Sequence, residues 1–438
     1  MTQEFDPVAS LRARMLAQES EVPTSSLRRM WRTGRGALGL GKAMLRVQKG
    51  EVMDLAAVAE IVGGLGGLKG VAMKVGQMLG HVDPSVPEEL RGMLSLLQTA
   101  APATAFDAVA ATIHADLGAR AAPLLAGMER APVAVASIGQ VHRATLPDGT
   151  AVAVKVRHPG IEAAIAADFR SAGVGKLFAA ATGATAIAEV IDEAREAFLG
   201  ECDFRQEASY QREFGLLFAD DPVIVVPEVL PEWSSDRVLI SRWIAGRSLA
   251  QFLADGPTQH ARDAAGAALF RFWVRSLYRD GLFHADPHPG NFAFCDGARI
   301  VIYDHGCVRR FDAPLRRAFA RLAAATRDDD LEAMTAAVVA AGGRAPGHAD
   351  DLAHMRALLR GFFGPLLTPG KRRIASDEGL RAREILRDKR TLLGLRLPGR
   401  MLFLFRLRFG LYAVLAQLQA EVDWAGLEHG WARATSSG

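Results

Sequence analysis

The chain has 438 residues, 50% of them hydrophobic, with 52 Lys and Arg against 49 Asp and Glu. That is enough apolar material for a large core spread over two or three lobes. A net charge of +3 is too small to argue for a nucleic-acid partner, and 23% charged residues exclude a chain disordered throughout.

Residues 1–50 are polar, then basic. Arg28, Arg29, Arg32, Arg35, Lys42, Arg46 and Lys49 alternate with Leu27, Met30, Trp31, Leu38 and Leu40. This reads as a solvated arm, or as an interfacial segment resting on anionic lipid. Glu4 and Asp6 stand where a signal peptide needs an apolar stretch, so a cytoplasmic chain is expected. Two glycine patterns in the arm carry nothing. Gly34–Gly39 fits G-x-G-x-x-G without a preceding strand, and Gly36–Lys42 fits G-x-x-x-x-G-K but is followed by Ala43 rather than Ser or Thr.

Residues 54–98 read as helices. Ile61, Leu65, Leu68, Ala72, Val75 and Leu79 fall on one face, while Lys74 and Gln77 share a different one. Pro84 and Pro87 break this helix. The texture changes at Ala131. Val133–Gln140 is small and apolar, Val141–Leu146 alternates as a strand, Pro147–Thr150 is a hairpin turn, and Ala151–Val156 is the return strand carrying Lys155. Glu189–Phe214 reads as one long amphipathic helix bearing Glu201, Asp203 and Glu207. Val223–Val226 and Val238–Ile240 are short strands. Helices dominate from Leu249, interrupted by strands near Asn291–Phe294 and Ile300–Tyr303. Met401–Leu418 is the longest apolar run, but Arg406 and Arg408 interrupt it, so it is expected to be a buried helix rather than a membrane span. Cys202, Cys295 and Cys307 have no spacing that suits zinc and are expected as reduced thiols.

Chemistry concentrates in His284-Ala285-Asp286-Pro287-His288-Pro289-Gly290-Asn291, an H-x-D-x-x-x-x-N loop. In kinases that spacing puts an Asp beside the attacking hydroxyl and an Asn on a magnesium ion. Asp304-His305-Gly306 follows after two short strands, in the place of the D-F-G triad whose Asp binds magnesium. Upstream, Ala153-Val154-Lys155 is similar to the V-A-I-K strand whose Lys pairs with ATP phosphates. Such a lysine needs an acidic partner, and Glu201, Asp203 and Glu207 are the acids available on the next predicted helix.

These residues resemble the UbiB/AarF atypical kinase-like family, associated with coenzyme Q (ubiquinone) metabolism. The resemblance covers roughly residues 50–330. Lys74-Val75-Gly76-Gln77 matches the family's K-x-G-Q signature, and Ala134–Gln140 its alanine-rich loop. Glu201-Cys202-Asp203 matches its E-x-D motif, and His284–Asn291 its catalytic loop. The resemblance implies an α+β, bilobal protein-kinase-like fold with an added N-terminal helical K-x-G-Q segment and a mostly helical C-lobe. Four segments are expected: an arm at 1–50, the K-x-G-Q extension at 51–125, an N-lobe at 126–245 and a C-lobe at 246–438.

It also implies ATP and Mg2+ as ligands, with Asn291 and Asp304 on the metal and Asp286 at the nucleophile. Glu207 would orient Lys155, and Ala136, Ser137, Ile138 and Gly139 would cover the phosphates. Lys74, Gln77, Glu201 and Asp203 would gate the cleft where a protein substrate would otherwise dock. The implied activity is ATP hydrolysis or phosphotransfer to a small molecule, in the service of an isoprenoid or quinone lipid at the inner face of a membrane. The loop alone is also shared by aminoglycoside- and choline-type kinases, and a nucleotide-binding pseudokinase scaffold would keep the same residues. Three departures from the family pattern stand out: Val135 within the alanine-rich loop, His305 for the D-F-G phenylalanine, and Ser241-Arg242-Trp243 at the hinge.

Overall fold

A computed structural model describes residues 103–170, 195, 199–375 and 399–436. The basic arm, its glycine patterns, and Lys74 and Gln77 lie outside the described residues. The described elements run α1 (Phe106–Leu117), α2 (Ala121–Ala126), β1 (Ala134–Val135), β2 (Gly139–Thr145), β3 (Ala151–Arg157), α3 (Ile161–Arg170), α4 (Phe204–Leu217), β4 (Ile224–Val225) and β5 (Val238–Arg242). They continue with α5 (Leu249–Ala254), α6 (Gln259–Phe270), a π turn (Arg271–Arg275), α7 (Ser276–Arg279), β6 (Leu282–His284), β7 (Phe292–Phe294), β8 (Ile300–Ile302) and β9 (Val308–Arg310). The last are α8 (Ala313–Asp328), α9 (Leu331–Ala340), α10 (Ala349–Phe362), β10 (Arg372–Arg373), α11 (Gly399–Leu418), β11 (Glu421–Val422) and α12 (Trp424–Ser436). The class is the expected α+β.

Two compact units share these elements. The first runs to Ala208 and takes in Val229–Trp243. Its sheet has the order β1-β2-β3-β5, antiparallel throughout. Side chains alternate along β3, so Val152, Val154 and Val156 are buried on one face while Lys155 stands on the other. α1 closes the buried face with Val109, Ile113 and Leu117, spaced four apart. The hairpin between β2 and β3 is as expected: Thr145 faces Ala151, and Gly149 takes the positive φ of 86° that the turn requires. β2 starts at Gly139, two residues before the predicted strand, because the β3 pairing extends to Arg157. A Cβ at Gly139 would lie 2.4 Å from the Val156 carbonyl oxygen, so only glycine fits where the loop enters the sheet.

The second unit holds Ser209–Glu228 and the chain from Ile244. Its sheet has the order β4-β8-β7, with β4 parallel and β7 antiparallel to β8. A separate ladder joins β6 to β9. α11 is the expected buried helix: Leu407, Leu411, Leu415 and Leu418 are fully inside. Arg406 and Arg408 do not bring it to the surface, because both meet a carboxylate. Arg408 meets Glu428 of α12 through both terminal nitrogens, and Tyr278 Oη donates to the same carboxylate at 2.5 Å. Among the described residues, no helix is long and apolar enough to cross a membrane.

One reading needs correction. The predicted single helix Glu189–Phe214 is interrupted: Glu201 and Cys202 form a turn, and α4 starts only at Phe204. The cause is Asp203. Its backbone oxygen accepts from Glu207 N, and its side chain accepts from Arg205 N at 2.9 Å, which satisfies amides that a helix start leaves open. Glu201 and Asp203 therefore precede the helix, and only Glu207 lies on it.

His142 is fully buried in the first unit. Its Nδ1 lies 2.8 Å from the Glu129 carbonyl and its Nε2 lies 2.9 Å from Gln140 Nε2. The Gln140 amide is oriented by Thr104, whose N donates to Oε1 and whose O accepts from Nε2. The imidazole must then be neutral, donating through Nδ1 and accepting at Nε2. Burial accordingly lowers its pKa below 6.5, against the opposing pull of the Glu129 carbonyl. The unfolded chain takes up this proton below about pH 6.5 and the folded chain does not, so stability is complete above that pH and is lost as pH falls. Urea unfolding monitored from pH 7 to pH 5 should show a falling midpoint, and His142→Asn should flatten part of that slope. A midpoint insensitive to pH across this window would contradict the assignment.

Candidate functional site

In the first unit, the predicted lysine meets one of its three candidate acids. Lys155 Nζ donates to Glu207 Oε1 at 2.6 Å. The side chains are 15% and 2% exposed, so the pair is held away from water. Placement explains the choice. Lys155 projects from the face of β3 opposite the valine core, and Glu207 lies one turn into α4, behind the Asp203 cap. Phe204 adds its ring, 5.2 Å from Nζ. Glu201 is buried just before the helix and Asp203 is exposed.

The alanine-rich loop is a tight turn above the same sheet. Ala136 N donates to the Gly139 carbonyl at 2.8 Å. His158 braces it, with its backbone N on the Ile138 carbonyl and its Nε2 3.2 Å from the Ala136 carbonyl. Ala136 and Ser137 are half-buried, and Ile138 and Gly139 are buried. Val135 is paired into the sheet opposite Gln140. At the hinge position Arg242 is exposed, and Trp243 lies under the Arg143 guanidinium.

The catalytic loop and the Asp304 turn lie in the second unit. There the β6–β9 ladder brings the two loops together: His284 faces Val308, and Ala285 N donates to the Cys307 carbonyl at 2.7 Å. His284 is the joint. Its Nδ1 accepts from Asp286 N at 3.1 Å, so its Nε2 must donate to the Asp304 carbonyl, 2.6 Å away. Burial lowers its pKa, against the pull of the Asp304 carbonyl and the nearby carboxylates, and keeps the ring neutral. Asp304 Oδ1 accepts from Gly306 N at 2.9 Å, which shapes the turn. His305 is fully buried between Phe214 and Phe272, with ring centroids at 5.4 and 6.5 Å, so it fills an aromatic position as the usual phenylalanine would.

Asp286 is held at both carboxylate oxygens. Asn291 Nδ2 donates to Oδ2 at 3.2 Å and to the Asp286 carbonyl at 3.0 Å. Arg406 Nη2 lies 2.8 Å from Oδ1. Sequence reasoning missed Arg406, which lies 120 positions downstream in an apolar helix. The one available signal was that an arginine on a buried face requires a carboxylate. Burial works against its charge, but the attraction of Asp286 outweighs this and leaves its pKa above the ordinary value. One turn on, a Cβ at Gly410 would lie 2.8 Å from Pro287 Cγ. α11 therefore presses against the loop, with a guanidinium at Asp286 and a bare backbone at Pro287.

This donor set suits a hard cation. Asn291 commits its Nδ2 to Asp286, while its Oδ1 accepts no hydrogen bond among the described residues. A carboxylate and an amide oxygen are the ligand types magnesium prefers when phosphates and water supply the rest. Among the described residues, no group of three or more His, Cys, Asp or Glu could hold a metal by itself.

Residues 96–338, over half of the chain, match the family described as the ABC1 atypical kinase-like domain. The chain is 28% identical over 314 residues to the atypical kinase COQ8, mitochondrial, of Saccharomyces cerevisiae, covering 67% of this chain and 61% of that protein. It is 31% identical over 248 residues to AarF domain-containing protein kinase 1 of Xenopus tropicalis, covering 54% and 47%. The chain thus spans less than two thirds of these relatives. A Mycobacterium tuberculosis protein solved in complex with erythromycin is similar in structure, with a TM-score of 0.56, 30% identity, and coverage of 83% of this chain and 92% of the other.

Arg406→Met would leave the Asp286 carboxylate without its buried guanidinium. Because Asp286 keeps 26% side-chain exposure, the expected loss is about 2 kcal/mol, below that of a fully buried pair. Adding Asp286→Asn should recover much of it. Urea unfolding of both singles and the double gives the coupling, expected at about 1 kcal/mol or more. Strictly additive losses would show that the two charges do not depend on each other.

Proposed function

The chain belongs to the ABC1 atypical kinase-like family, and from that premise we propose that it binds ATP with Mg2+ and either hydrolyses it or transfers its terminal phosphoryl group to a small acceptor, in support of ubiquinone or other isoprenoid-lipid metabolism. The observation that carries the reading is the pair of loops locked through His284, which holds Asp286, Asn291 and Asp304 in one constellation.

The roles follow from the chemistry of each group. Asp304 and the Oδ1 of Asn291 would hold Mg2+, which would supply positive charge against the phosphate oxygens. Lys155 would take phosphate oxygens, and Glu207 keeps the ammonium extended and charged. Ser137, Ile138 and Gly139 would approach the phosphates through the braced turn at Ala136. Asp286 would accept a hydrogen bond from the nucleophile, water or a hydroxyl. Arg406 and Asn291 set the direction in which its remaining lone pairs point. Lys74, Gln77, Glu201 and Asp203 would restrict access, as in the family resemblance. The mycobacterial relative was solved with erythromycin, so a macrolide belongs beside isoprenoid phenols among the small molecules to try. Contact with an anionic membrane surface is a further part of the proposal, resting on the basic arm at 28–49.

Asp304→Asn should abolish Mg2+-dependent ATP binding, measured as the loss of a thermal shift. Asp286→Ala should retain that shift and lose turnover by about two to four orders of magnitude, measured as phosphate release with and without anionic vesicles. Normal Mg-ATP affinity in Asp304→Asn would remove it from the metal. A thermal shift in the parent protein with no turnover under any condition would point to a nucleotide-binding scaffold instead.

A further inference from the structure

A cluster of arginines in the helical unit is built from residues given no role above. Arg271, Arg275 and Arg279 are spaced four apart along the π turn and α7, so they follow one side of that segment. Arg316 and Arg317 join them from the first turns of α8, the helix end where the backbone dipole disfavours cations. These five arginines line a cavity of about 690 Å3, with Trp431 of α12 on its wall. That volume is in the range of small-molecule sites.

The cavity is short of anions. Arg271 is committed to Asp221 through Nε and Nη2, each at 2.9 Å. Arg316 donates through Nη1 to the Tyr278 and Arg279 carbonyls, but its Nε is buried without a hydrogen-bond partner. Arg275 lies over the Phe218 ring at 5.1 Å, and its Nε is also buried and unpartnered. Arg279 reaches Asp280 only at 3.9 Å. Arg317 forms no hydrogen bond or ion pair with the described residues. Asp280 lies within the field of Arg275, Arg279 and Arg316; burial pushes its carboxyl upward against their pull, and its Oδ2 is buried without a hydrogen-bond partner, so one carboxylate faces three cations. Like charges crowded onto one wall repel one another, and planar guanidinium groups with open N–H donors fit tetrahedral oxyanions.

We propose that this cavity binds the phosphate group of an organic phosphoester, with Arg275, Arg279 and Arg317 meeting the phosphate oxygens and Trp431 meeting the organic part. A soluble phosphomonoester and a phospholipid headgroup present the same chemistry. The proposal does not rest on the ATP reading, because none of its residues serves there.

The test uses the full chain with Mg2+ and a saturating non-hydrolysable ATP analogue, so that any nucleotide site is occupied. Phenyl phosphate is titrated by calorimetry. In parallel, co-sedimentation is measured with phosphatidylcholine vesicles that contain or lack phosphatidic acid. The comparison variant is Arg279→Gln/Arg317→Gln, since Arg279 is exposed and Arg317 forms no hydrogen bond or ion pair with the described residues; its thermal denaturation should match the parent. Saturable phenyl phosphate binding, weakened about tenfold or more in the variant, supports a soluble ligand. Vesicle binding that requires phosphatidic acid and is lost in the variant supports a headgroup. Absence of saturable binding to both probes, or equal binding by parent and variant, overturns the proposal.

Discussion

The second unit depends on one neutral imidazole. His284 accepts from the backbone of Asp286 and donates to the backbone of Asp304, so the main chains of the two loops are tied through a single buried ring. The arrangement works only in one tautomer, and burial maintains it by keeping the ring uncharged. The β6–β9 ladder brings the strands into register on either side, and the aromatic cluster of Phe214, Phe272, Trp273 and His305 excludes water around them.

Within each unit, several of the described buried charges are paired. Lys155 has Glu207, Arg406 has Asp286, and Arg408 has Glu428. An orphaned ion in such surroundings costs several kcal/mol, so each pair constrains the elements that carry it. The pairs differ in consequence. Arg408–Glu428 is fully enclosed and ties α11 to α12. Arg406–Asp286 keeps a quarter of the carboxylate exposed, so the same helix that completes the core also orients a group that can still meet a ligand. In the arginine cavity the pairing is incomplete: among the described residues Arg271 is held by Asp221 at 2.9 Å while Arg279 reaches Asp280 only at 3.9 Å, and that imbalance is what a phosphate would relieve.

Much of the site was legible because its residues are close in sequence. The loop from His284 to Asn291 and the turn at Asp304 are separated only by a two-stranded hairpin, so spacing alone brings them together. The strand alternation that buries Val152, Val154 and Val156 likewise decides that Lys155 points the other way. The E-x-D residues were misread as helical because amphipathic periodicity does not register a capping side chain. Asp203 accepting from Arg205 N ends one segment and starts another without disturbing the hydrophobic pattern.

The sequence by itself therefore determined the α+β class, the hairpin bearing Lys155, the paired loops of Asp286 and Asp304, and the burial of the helix that carries Arg406 and Arg408, because each follows from local periodicity, turn chemistry or short spacing. Only the tertiary structure decided what neutralises Arg406 and Arg408 and which arginines share a cavity. Those partners lie between 20 and 120 positions apart. Nothing local distinguishes an arginine that will find a buried carboxylate from one left facing an open cavity; the distinction arises when helices from distant parts of the chain pack together and each buried charge must be matched.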